Sequence, residues 1–94
     1  MSDLGEVLVV IRHTVADYAT WRRGYDDFEP QRRRHGVTGA EVFVDPDDET
    51  RVTVLHRFAS LSDAQDFLSM PELKEAMGAA GVTEAPDITI ASRR

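Results

Sequence analysis

The sequence predicts an α+β sandwich, with one four-stranded antiparallel sheet carrying helices on a single face. Three observations predict it. Strand-like and helix-like segments follow the order β-α-β-β-α-β. The two middle strands are joined by a short polar turn, which makes them a hairpin. A chain of 94 residues fills one domain, read here as 1–94, with no repeat, linker or low-complexity tract.

Each element has a local reason. Glu6 to His13 holds the unbroken, mostly β-branched run Val7-Leu8-Val9-Val10-Ile11 and reads as a strand. Asp17 reads as a helix N-cap. Tyr18, Trp21, Tyr25 and Phe28 follow at spacings of three, four and three, one aromatic helical stripe. Pro30 has no N–H to donate and disfavours helix at Glu29, so a break is expected there. The helix resumes over Gln31 to His35 and stops at Gly36. Arg32, Arg33 and Arg34 fall in its last turn, where cations complement the dipole, and read as a solvated basic surface.

Val37 to Asp45 is the second strand, Asp45 to Thr50 a polar turn, and Arg51 to Phe58 the third strand. Val52, Val54, His56 and Phe58 share one face of that strand. Ser62 to Gln65 has the form of a capping box, with Ala64, Phe67 and Leu68 as the apolar side of the helix it opens. Met70-Pro71 breaks this helix, a second piece runs from Glu72 to Ala80, and Gly81 ends it. Asp87 to Ser92 is the last strand. With right-handed crossovers this order gives the ferredoxin-like sandwich.

Two helices cover only one side of such a sheet, yet the first strand is apolar on both sides. A bare apolar sheet face marks an interface more often than a free surface. The expected partner is therefore a second copy of the chain, meeting sheet to sheet in a homodimer. Arg12 and Arg57 on that face require acidic mates, for which Glu41 and Asp45 are candidates.

Composition excludes several functions. Eleven basic against seventeen acidic residues give a net charge of −6, opposite to the field a nucleic-acid surface needs, so no nucleic-acid partner is expected. The longest apolar run is far short of the about 20 residues that span a bilayer, so no membrane partner is expected and the cytoplasm is the default location. Cysteine is absent, which removes thiolate chemistry. His13, His35 and His56 have no metal-ligand spacing, so no metal is expected.

Three stretches carry a family resemblance: Arg12 to Trp21, with its His, Val, Asp-Tyr and Trp; Glu29-Pro30 through Gly36-Val37; and Phe67 to Met77, ending at Gly81-Val82. Over about residues 6 to 91 the chain resembles the dimeric α/β-barrel superfamily. That group holds antibiotic-biosynthesis-type monooxygenases, stress-responsive barrel proteins and many members of unassigned function. The resemblance implies a ligand held between helices and sheet within each subunit, and no cofactor. Some members use an Asn, a Trp and a His. This sequence has no Asn, and its one Trp lies on the first helix, so that constellation does not carry over.

His13 is the candidate catalytic base, since an imidazole titrating near neutrality takes a proton from a phenol or enol. The alternative is a strand-end His bonded to backbone. Trp21, Tyr25, His56 and Phe67 are the candidate ligand-binding residues, with plain core packing as the alternative for the aromatic ones. Strand register decides whether His13 and His56 share a cavity. Two functions are expected from this set. One is a cofactor-independent monooxygenase or cyclase acting on a small aromatic, polyketide-like molecule in a pocket of about 300 Å³ or more. The other is a non-catalytic small-molecule-binding or stress-related dimer.

Overall fold

The computed structural model describes residues 6–94. Met1 to Gly5, the start of the expected domain, lie outside it. Four strands and four helices follow in the order β1 (Val7–Thr14), α1 (Tyr18–Asp27), α2 (Glu29–Arg34), β2 (Val37–Asp45), β3 (Asp48–Phe58), α3 (Leu61–Ser69), α4 (Pro71–Ala79) and β4 (Asp87–Ser92). The strands form one antiparallel sheet in the order β2-β3-β1-β4. This is the ferredoxin-like arrangement, with each expected helix split in two.

Both splits fall beside a proline. Phe28, at the end of the aromatic stripe, is the joint between α1 and α2, and Pro30 lies in the first turn of α2. The break is at Phe28 rather than Glu29 because a first-turn residue has no helical hydrogen bond for its N–H to make. Met70 is extended (φ −75°, ψ 135°), as the residue before Pro71 prefers, and α4 starts at Pro71. Asp17 caps α1, accepting from the Thr20 N–H at 2.9 Å and from its hydroxyl at 2.8 Å. Gly36 and Gly81 have φ of +95° and +91°, a conformation in which L side chains are strained.

Two boundaries differ from expectation. The cap of α3 is Ser60, whose hydroxyl accepts from the Asp63 N–H at 3.1 Å, so the capping unit starts two residues before Ser62. The hairpin turn shrinks to Pro46-Asp47, and β3 begins at Asp48. There Asp45 and Asp48 carboxylates accept from the backbone N–H groups of Asp47 and Thr50, which satisfies a tight turn without a longer loop.

The two central strands divide their faces cleanly, whereas Val44, Ile88 and Ile90 on the edge strands lie on the helix side and remain exposed. Val7, Val9 and Ile11 of β1 and Val52, Val54 and Phe58 of β3 point toward the helices and form the core with Trp21, Ala64 and Phe67. Leu8 and Val10 of β1 and Leu55 of β3 point the other way and remain half-buried, and Phe43 on that face is 52% exposed. Arg57 finds Glu41 at 3.6 Å, one of the expected mates; Arg12 pairs instead with Asp87 at 3.0 Å, its register partner on β4. Among the described residues no helix is long and apolar enough to cross a membrane.

Candidate functional site

The register of β1 and β3 answers the question left open by the sequence. Val9 pairs with His56 and His13 with Val52, and all four lie on the helix side of the sheet. His13 and His56 are therefore four residues out of step, about 13 Å apart along the strands. Between them lies the aromatic stripe of α1. The Trp21 ring meets His13 edge-on, centroids 5.5 Å apart, and stacks on Tyr25 at 4.9 Å. Tyr25 lies nearly parallel to His56, whose other side meets Phe67 edge-on at 5.5 Å. His13, Trp21, Tyr25, His56 and Phe67 all line one cavity between helices and sheet, closed on its far side by Leu73, Met77 and Ala80.

That cavity is narrow. Its inner volume is about 50 Å³, and about 440 Å³ when the open mouth is included. The inner part has room for roughly four waters. The inner volume thus falls below the expected 300 Å³, because ring-on-ring stacking fills the space beneath α1. Gly24 sets the near wall: a Cβ there would lie 2.9 Å from the Ala80 Cβ, so the glycine lets α1 and α4 approach closely.

Polar groups in the cavity are few and unevenly satisfied. His13 is 9% exposed, and neither of its ring nitrogens has a hydrogen-bond partner. The strand-end His bonded to backbone is therefore not what the structure contains. Burial lowers the His13 pKa and favours the neutral ring. The Tyr25 hydroxyl lies 2.9 Å from His56 Nε2, while His56 Nδ1 is buried without a partner. Burial, and then the Arg32 charge, push the His56 pKa down to about 4. Tyr25 is shifted upward, chiefly by burial. At neutral pH the cavity holds two neutral imidazoles and a neutral phenol.

The residue that sequence reasoning misplaced is Arg32. It is 6% exposed, whereas Arg33 and Arg34 of the same turn are exposed. Its guanidinium carbon lies 3.7 Å from the Tyr25 ring centroid, and its Nη1 donates to the Tyr25 carbonyl. A signal was present: Arg32 stands four residues after Phe28, so it continues the 21, 25, 28 stripe across the break. His35 is the exposed C-cap of α2 and does not line the cavity. Among the described residues no three His, Asp or Glu side chains are grouped to hold a metal ion.

This architecture recurs among solved structures. One neighbour is SnoaB, a cofactor-independent oxygenase from Streptomyces nogalater (TM-score 0.80, 17% identity, covering 96% of this chain and 94% of that one). Another is a candidate antibiotic biosynthesis monooxygenase from Bordetella bronchiseptica (TM-score 0.81, 16% identity, 96% and 98% covered). A third, from Caulobacter crescentus CB15 and of the same description, has a TM-score of 0.78, 20% identity and coverage of 96% and 91%. The chain shares the ferredoxin-like fold of these antibiotic biosynthesis monooxygenase-like proteins. At these identities the likeness is one of fold. No family model matches the chain, and no curated protein does.

Proposed function

We propose that this chain is a cofactor-independent monooxygenase acting on a small aromatic molecule, working as a homodimer that pairs through its open sheet face. The observation that carries the reading is His13, a buried neutral imidazole with both nitrogens unpartnered, lining an aromatic cavity. Such a nitrogen is free to take a proton from an acidic C–H or O–H of a bound ligand. The resulting carbanion, or the phenolate or enolate whose charge is shared onto a carbon, gives one electron to dioxygen, and the radical pair joins at that carbon to form a C–O bond. Protonation and O–O cleavage then release water. A CH₂ group and O₂ become a carbonyl and H₂O, with every electron supplied by the substrate. Trp21, Tyr25 and Phe67 are the apolar walls, and His56 holds the Tyr25 hydroxyl. The dimer reading rests on the half-buried Leu8, Val10 and Leu55 beside the exposed Phe43.

The narrowness of the cavity favours a second reading, a dimer that binds a small molecule without converting it. Oxygen uptake with anthrone and with hydroquinone, followed by mass spectrometry of the products under ¹⁸O₂, separates the two. A monooxygenase places one ¹⁸O in the organic product, and His13→Ala lowers the enzymatic rate by about 10² or more. Binding without ¹⁸O incorporation gives the non-catalytic reading. A rate unchanged in His13→Ala removes His13 from the chemistry.

A further inference from the structure

A buried arginine normally faces a carboxylate, because an uncompensated charge in a low-dielectric site is costly. Arg32 does not. Among the described residues none of the ion pairs includes it. The two carboxylates of this helical region that act on it electrostatically, Asp26 and Glu29, are engaged elsewhere. Asp26 pairs with Arg22 at 3.1 Å and Glu29 with Arg33 at 3.0 Å, both one helical turn apart on the exposed face. Arg32 is held in place by the Tyr25 carbonyl and by stacking on the Tyr25 ring, which together use one donor and one face of a group with five donors. The other cavity groups are neutral, so Arg32 is its one formal charge among the described lining residues.

Arg32 also borders a second space. It lines the inner cavity and, with Glu29, Arg33 and Thr38, an open groove between α2 and β2. Arg32 therefore stands between the open groove and the aromatic interior. We infer that the site takes a planar aromatic oxyanion, a carboxylate or a phenolate, with Arg32 as the specificity-determining countercharge and Trp21 and Tyr25 as part of the aromatic wall beside the ring. This rests on the cavity being the ligand site, and it adds the charge class of the ligand. The guanidinium plane suits such a group because it donates two parallel hydrogen bonds to one oxyanion while lying against an aromatic face.

The test uses three one-ring probes of similar size: benzoate, 4-nitrophenolate as its anion, and neutral benzamide. Binding is read by titration calorimetry and by emission of Trp21, the only tryptophan. The wild-type protein is expected to bind one or both anions at least tenfold more tightly than benzamide. Benzoate alone identifies the carboxylate, and 4-nitrophenolate alone the phenolate. Arg32→Met is expected to bring the anion-to-benzamide ratio to about one while benzamide affinity is retained. Arg32→Lys, which keeps the charge, retains most of the preference and covers the case in which Arg32→Met does not fold. Benzamide binding as tightly as both anions in the wild type overturns the oxyanion inference and leaves the ligand cavity standing. Absence of binding by all three probes overturns the cavity reading as well.

Discussion

Replacing His56 by glutamine probes how strongly the interior resists a proton. In the folded chain His56 is 3% exposed and its pKa is about 4, against an ordinary value of 6.5. The causes are burial first and the neighbouring Arg32 charge second. Between pH 6.5 and 4 the unfolded chain therefore binds more protons at this site than the folded one. Stability from this group is complete above pH 6.5 and is lost as the pH falls toward 4. From pH 7 to pH 5 the loss is about 2 kcal/mol. The carboxylates of Glu6, Asp17 and Asp48 are shifted below their ordinary range and stay ionised in this window, so they do not confuse the reading. Glutamine keeps a polar partner for the Tyr25 hydroxyl and cannot titrate. Urea unfolding at pH 7, 6 and 5 is the assay. His56→Gln is expected to lose about 2 kcal/mol less than the wild type over that range, whatever its stability at pH 7. A smaller acid-dependent loss persists in the variant, since His13 is shifted in the same direction by burial. Identical pH dependence in the two proteins refutes the reasoning, because it means His56 is solvated or hydrogen-bonded in a way that holds its proton.

Two other outcomes follow from packing. Gly24→Ala places a Cβ 2.9 Å from the Ala80 Cβ and forces α1 and α4 apart. It is expected to destabilise by about 1–3 kcal/mol despite the better helix propensity of alanine, and adding Ala80→Gly recovers most of the loss in urea unfolding. A Gly24→Ala protein more stable than wild type would show that the helices separate freely. On the open sheet face, sedimentation of the wild type is expected to give twice the chain mass of 10.5 kDa. Val10→Asp, at the centre of that face beside Leu55 and Thr89, gives the monomer with its far-ultraviolet circular dichroism unchanged. A wild-type monomer removes the dimer from the proposal.

The sequence determined the order of elements and which residues within one strand share a side, because both depend on local periodicity and backbone preference. Trp21, Tyr25, Phe28 and the alternation Val52, Val54, His56, Phe58 were legible for that reason. So were both proline breaks, since proline's missing donor acts wherever it stands. Capping at Ser60 rather than Ser62 was not legible, because two serines separated by one residue differ only in which one the tertiary chain path leaves extended. Only the tertiary structure brought His13 and His56 to one side of the sheet, since pairing register is a property of two strands and not of either alone. It also decided the fate of Arg32. The sequence shows three adjacent arginines of equal chemistry; the turn of a six-residue helix after a break at Phe28 sends one of them under Tyr25 and leaves the other two in water. The size of the cavity belongs to the same class, because it depends on how closely Gly24 lets α4 approach α1, a distance that no single element encodes.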